Sequence, residues 1–181
     1  NYKVHRFKNL IVSPHYTRAK FTKLIDEEIN KALNDQPAMI RLKMNSLSDY
    51  KMIDKLYEAS RAGVKIQLII RGICCLIPGV AGLSENIEAV SIIDNLLEHS
   101  RIYIFGTDED PKIYISSADF MTRNIDERVE VTCPIYDESI KMELIDTFKI
   151  YWQGNVKVRL HSERLENRYR RLGDERFKAQ D

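Results

Sequence analysis

The run SIIDNLLEHSRIYIFG places a histidine, His99, two residues before an arginine, Arg101, at the entry to an apolar segment. In extended backbone alternate side chains share a face, so the spacing predicts that imidazole and guanidinium project together while Ser100 points away. The pair joins a titratable nitrogen to a fixed cation. A solvated surface pair is the plain alternative for such spacing. Two further cations stand where apolar runs end: Lys43, two residues before Asn45, at the end of PAMIRLKM, and Arg71, followed by Gly72, after VKIQLII.

These positions acquire meaning from the elements that carry them. FKNLIVSP reads as a short strand ended by Pro14, and Thr17 as the cap of a helix on which Phe21, Leu24, Ile25, Ile29 and Leu33 recur at helical spacing. PAMIRLKM is a strand, Ser48 a helix cap, and Met52, Ile53, Leu56 and Tyr57 one stripe of a second helix closing at Gly63. VKIQLIIRG follows as a strand, which completes a βαβ unit with parallel neighbours and a right-handed crossover. Ligands gather at the carboxyl ends of such strands, so Lys43 with Asn45 and Arg71 with Gly72 fall at one crevice. Residues 72–87 read as a long loop. AVSII, RIYIF, KIYISS and RVEVTCPI then predict antiparallel pairing in the second half. A third amphipathic helix runs through DESIKMELIDTFKIYW, capped by Asp137 and stopped by Gly154, and VKVRL is a last short strand.

The chain has 181 residues, room for one main domain, read as residues 1–161 with a charged C-terminal tail over 162–181. With 28 basic against 27 acidic residues, nothing in the composition demands nucleic acid or an anionic membrane, although clustered arginines can still build an anion site. The polar opening NYKVHRFKN is no secretory signal, and no apolar run is long enough to span a bilayer. Cys74, Cys75 and Cys133 have neither disulfide nor zinc spacing and are read as packing residues in a reducing cytosol.

KMNSLSD, IIRGICCLIPGVAGLSENI, LEHSRIYIFG and YISSADFMTRNIDERVEV together resemble the carboxyl-terminal catalytic domain of bacterial polyphosphate kinase, over nearly the whole chain. A fainter resemblance is to phospholipase D-like domains, with their H-x-K-x-x-x-x-D, G-S-x-N and N-x-E motifs. Against these stand His99 and Arg101, then Ser116, Ser117 and Asp119, then Asn124 and Glu130; Arg101 replaces Lys, Gly106 stands at the motif's Asp, and Ser116 replaces Gly. The fold this implies is α/β, a single domain with a phospholipase D-like mixed β-sheet flanked by helices.

The family resemblance implies a fragment of an enzyme that reversibly transfers the terminal phosphate of ATP to polyphosphate. Arg71 and His99 match its nucleotide-contacting residues and Arg128 another arginine of the same site. The phosphate-accepting histidine and the Mg2+-linked positions belong to preceding segments of the longer enzyme, so no metal ligand is assigned here and the fragment alone is expected to be inactive. His5, His15 and His161 are read as structural or surface residues. Phosphoryl transfer makes mainly electrostatic demands, which suits the planar fork of Arg71 and Arg128 and, beside them, Lys43 and Arg101. Glu130 is a candidate to orient His99, and Asp119, Ser117 and Asn45 to shape the pocket. The partners implied are ATP, ADP, polyphosphate and the remaining domains of the same polypeptide. A homo-oligomer of the full-length enzyme is compatible with this, and nucleic acid is not implied. The expected address is the cytoplasm, with the inner face of the membrane as a variant. The alternatives are a phospholipase D-like phosphodiesterase that dimerises through its single motif and a polyanion-binding module without catalysis.

Overall fold

Alternation along MIRLKM sets the plan of the molecule. In strand β2 (Met39–Met44), Ile40, Leu42 and Met44 enter one core, so period two directs Arg41 and Lys43 to the opposite face. The computed structural model describes residues 7–93, 97–154, 157–163 and 168–170. On the apolar side lie α1 (Thr17–Leu33), which buries Phe21, Leu24, Ile25 and Ile29, and α2 (Tyr50–Arg61), which buries Met52, Ile53 and Leu56. Phe21 anchors this core against Tyr103 and Phe120, each with ring centroids 5.2 Å away.

Two caps differ from the sequence reading. Tyr16 occupies the N-cap of α1, and Thr17 is its first helical residue, with the Ser13 hydroxyl donating to its Oγ1 at 2.7 Å. For α2 the cap is Asp49, whose carboxylate accepts from the Met52 N–H at 3.0 Å; the Ser48 N–H is instead spent on the Phe120 carbonyl. A carboxylate serves better than a hydroxyl there because it also receives Arg18. Leu33, expected on the α1 stripe, ends the helix exposed.

Among the described residues the strands form one mixed eight-stranded sheet, in the order β1-β7-β6-β5-β2-β3-β4-β8. β3 (Lys65–Ile70) runs parallel to β2, as the βαβ unit requires. Antiparallel pairing joins β5 (Ile102–Phe105) to β2, β6 (Lys112–Ser116) to β5, β7 (Val131–Ile135) to β6 and β1 (Ile11–Val12) to β7. β4 (Ile87–Ile92) departs from the antiparallel expectation, pairing parallel with β3 in the register Ile66↔Ile87. The preceding loop accounts for this. It returns the chain to the start of β3 without a helix, turning at Gly79 and Gly82, which have φ of 79° and 71°.

β8 (Val158–Leu160) closes the far edge on β4, and residues 168–170 return to it: the Leu160 N–H donates to the Arg168 carbonyl and the Arg170 N–H to the Val158 carbonyl, both at 2.8 Å. Part of the segment read as a tail thus packs on the sheet. Residues 164–167 and 171–181, like His5, lie outside the described residues.

α3 (Glu138–Gln153) covers the second face and is capped by Asp137 as anticipated, its carboxylate accepting from the Ser139 and Ile140 N–H groups. Ile145 and Phe148 join Ile102, Ile104, Ile113 and Val158 in a smaller core. The two cations of β2 share this face, and each meets a carboxylate that also touches α3. Arg41 pairs with Asp108 at 2.6 Å, and Asp108 with Lys149 at 2.7 Å. Lys43 has the corresponding arrangement at the other end of the strand, described next.

Candidate active site

Parallel pairing brings the ends of β2 and β3 side by side, with Met44 opposite Ile70, so Asn45 and Arg71 emerge as neighbours. The Arg71 Nε–H donates to the Asn45 Oδ1 at 3.0 Å, and the Gly72 N–H donates to the Asn45 carbonyl at 2.7 Å. A Cβ at Gly72 would lie 3.0 Å from that carbonyl oxygen, so glycine permits the two strand ends to close on one another. The Asn45 N–H donates to Asp119 at 2.9 Å, and Asp119 also receives Arg101 through Nε at 2.9 Å and Nη2 at 3.3 Å. Arg101 in turn donates from Nη1 to the His99 carbonyl at 3.1 Å. One unbroken chain of hydrogen bonds therefore links Arg71, Asn45, Asp119, Arg101 and the backbone of His99.

The segment holding His99 has no regular secondary structure and precedes the strand, since β5 begins at Ile102. The His99 imidazole is exposed and has no hydrogen-bond partner among the described residues. Its two chain neighbours, Glu98 and Ser100, are both held. Lys43, only 4% exposed, donates to the Ser100 hydroxyl at 2.6 Å and the Ser100 carbonyl at 3.3 Å, pairs with Glu98 at 3.3 Å, and lies 4.6 Å from the centroid of the Tyr151 ring. Glu98 accepts from the Ser100 N–H and from the Tyr151 hydroxyl, both at 2.7 Å. Burial lowers the pKa of Lys43 against the pull of Glu98, and the nearby Arg71 and Arg101 guanidiniums lower it further. Three cations of the sequence reading thus converge. Lys43, however, is satisfied internally, whereas the Arg71 Nη atoms have no partner among the described residues.

Around Arg71 lie two cavities. One, of about 20 Å3, has room for a single water and is lined by Lys43, Asn45, Arg71, Glu98, Ser100 and Tyr151. The Asn45 Nδ2 is buried with no partner, and its orientation is settled by Oδ1 receiving Arg71. The other, of about 370 Å3, is bordered by Arg71, Ser91, Arg159, His161 and Ser162. Burial lowers the pKa of the His161 imidazole, partly offset by its hydrogen bond to Ile70.

The remaining candidates come from the turn between β6 and β7. Ser117 donates to Glu130 and accepts from the Val131 N–H at 3.1 Å; the other Glu130 oxygen accepts from Asn124 at 2.6 Å. Both oxygens of Glu130 are thus engaged away from His99, and no hydrogen bond joins the two residues. Glu130 does act on Arg101 through its charge. Arg128 ends a π-helical turn (Arg123–Glu127), its N–H donating to the Arg123 carbonyl at 2.8 Å, and leaves its side chain exposed. Neither Glu98 nor Tyr151 was singled out by the sequence. A glutamate beside His99 was a faint cue, but Tyr151 follows Phe148 by three residues and looks like a core position on α3. The carboxylates of Glu98, Asp119 and Glu130 are already taken up by Lys43, Arg101, Asn124 and Ser117, so they do not fit a Mg2+ site, and no group of three candidate metal ligands occurs among the described residues.

The description polyphosphate kinase C-terminal domain 2 matches residues 10–180. The chain belongs to the polyphosphate kinase family. Polyphosphate kinase of Vibrio vulnificus strain YJ016 is 48% identical over 169 residues, covering 93% of this chain and 24% of its own length. The Escherichia coli K12 polyphosphate kinase is 44% identical over 175 residues, or 97% of this chain and 25% of that protein. The chain therefore spans about a quarter of the length of these polyphosphate kinases. The crystal structure of the Porphyromonas gingivalis polyphosphate kinase superposes with a TM-score of 0.92 at 38% identity, over 99% of this chain and 28% of that one. Nuc of Salmonella typhimurium, a phospholipase D family member, shares the fold at a TM-score of 0.60 and 13% identity, which confirms the phospholipase D-like architecture. Among the described residues, no helix is long and apolar enough to cross a membrane.

Proposed function

We propose that this domain supplies the phosphate-gripping half of a polyphosphate kinase active site, which acts on ATP and polyphosphate together with preceding segments of a longer polypeptide. The observation that carries this reading is the end of β3. Arg71 is oriented through Nε by Asn45, keeps both Nη atoms for a ligand, and borders a cavity large enough for a nucleotide's phosphates. The buried Asn45 Nδ2 faces the water-sized cavity behind Arg71, so Asn45 acts by orienting the guanidinium.

In this reading the terminal phosphorus of ATP forms a bond to a histidine nitrogen of another segment while its bond to the ADP oxygen breaks. Attack by a polyphosphate terminal oxygen then breaks the nitrogen–phosphorus bond and lengthens the chain by one phosphate. Charge spread over the transferring oxygens is met by Arg71, with Arg101 and Lys43 adding to the local field. His99, exposed on a pinned backbone, donates to or protonates a phosphate oxygen, and Arg128 approaches the same charge from the turn before β7. Mg2+ bound with the nucleotide would offset part of this charge.

The test is His99→Ala in the full-length enzyme. Polyphosphate synthesis from ATP should fall by about 100-fold or more, the scale of a lost acid–base group. Unchanged turnover would remove His99 from the mechanism.

A further inference from the structure

The residue that the sequence offers as a phosphate ligand on β2 has a different task in the fold. The Lys43 ammonium is enclosed by Ser100, Glu98 and the Tyr151 ring and has no face left for substrate. Two of its partners, Glu98 and Ser100, flank His99, and the third, Tyr151, bonds Glu98.

We propose that Lys43, Glu98 and Tyr151 form a tether that positions His99, transmitting the placement of α3 to the reacting end of the sheet. The inference rests on the phosphoryl-transfer reading above only in assigning His99 its task. The tether itself stands on geometry. Glu98 spans the gap, with one oxygen on the Ser100 N–H and Lys43 and the other on the Tyr151 hydroxyl at 2.7 Å. Lys43 grips both the carbonyl and the hydroxyl of Ser100. Arg101 takes the His99 carbonyl, so this carbonyl and both backbone polar groups of Ser100 are occupied while the ring stays exposed.

The alternative is that Lys43 is simply a buried cation neutralised by the nearest carboxylate. Arg41, two residues earlier on the same face, shows what that looks like: its partner Asp108 bonds the Lys149 ammonium on α3 and touches no site residue. The Lys43 arrangement differs because its carboxylate comes from the His99 segment itself. Without the Tyr151 hydroxyl, Glu98 could swing to solvent, since its side chain is 29% exposed, and Lys43 would lose the anion that justifies its burial. A backbone with two of its bonds loosened places the imidazole less accurately, and small misplacements are costly in a step that depends on alignment.

The experiment is Tyr151→Phe in the full-length enzyme, a change that keeps the ring over Lys43 and removes only the hydroxyl. Hydrogen exchange of the peptide containing the Ser100 amide should accelerate about tenfold, with exchange in α1 unchanged. Turnover should fall about tenfold while the KM for ATP stays within about twofold, because the substrate grip of Arg71 is untouched. Glu98→Gln should give the same pattern. Unchanged exchange in both variants would overturn the tether, and faster exchange with unaltered turnover would overturn its positioning role. Loss of ATP affinity in place of turnover would also count against it. His99→Ala measured in parallel keeps the two readings apart: if that variant turns over normally, the assignment of His99 fails, and the exchange data judge the tether separately.

Discussion

Asp49 shows how much one side chain carries here. Its carboxylate caps α2 through the Met52 N–H, receives Arg18 through Nη1 at 2.7 Å and Nη2 at 2.8 Å, and accepts from Thr122 at 2.8 Å. Arg18 also reaches Asp126, so this knot fastens the π-helical turn that ends at Arg128 to the first two helices. Burial opposes ionisation of Asp49, but the donors prevail and its pKa is held down to about 2. The sign follows. A folded pKa below the unfolded value near 4 means the stabilisation is complete above that unfolded value and is lost as pH falls toward 2. It amounts to about 2 kcal/mol. Asp49→Asn should therefore destabilise the chain at pH 7, and its deficit relative to wild type should shrink between about pH 4.5 and 2. Urea midpoints of the two proteins across that range check this; a deficit independent of pH would contradict it. Glu98, also held near 2 by Ser100, Tyr151 and Lys43 despite burial, contributes in the same window.

At the scale of elements, the β5–β6 hairpin explains a departure from the phospholipase D motif. Gly106 stands where that motif has an aspartate, yet its N–H donates to the Met39 carbonyl at the start of β2, whereas the site lies beyond the strand's other end. Six residue steps separate Met39 from Asn45, about 20 Å of strand. Gly106 is a turn residue: φ is 100°, and a Cβ would sit 2.5 Å from the Asp110 carbonyl oxygen. Gly106→Ala should cost about 1–3 kcal/mol of stability and leave the turnover of the full-length enzyme unchanged. A stable variant, or an inactive one that is still folded, would contradict this placement. The same strands show where sequence was informative. The stripes of α1, α2 and α3 were legible because helical periodicity is local. The parallel pairing of β4 was not, since an apolar run reads alike in either direction and the crossover before it has no helical pattern. Asp49 was hidden by Ser48, a good cap beside a better-connected one.

For the whole molecule, the decisive feature is the order of the sheet. Placing β2 and β3 beside β5 brings Asn45, Arg71 and Arg101 to one end, although they are far apart in the chain. The βαβ pattern made this convergence foreseeable for Asn45 and Arg71. That pattern cannot show the internal partners of Lys43: α3 closes over that face and brings Tyr151 to the ammonium, and Glu98 reaches it from the segment before β5. Glu130 was similarly absorbed by Asn124 and Ser117. Residue types marked the site, and packing decided which of them remained free.

The central claim is that Arg71, oriented by Asn45, grips the phosphates of the nucleotide. It is tested most directly by the ATP dissociation constant of the full-length enzyme with Arg71 replaced by Ala and by Lys. Affinity should fall about tenfold or more with Ala and should not be restored by Lys, whose point charge can neither engage Asn45 through an Nε nor present a fork. Wild-type affinity in the Ala variant would contradict the account.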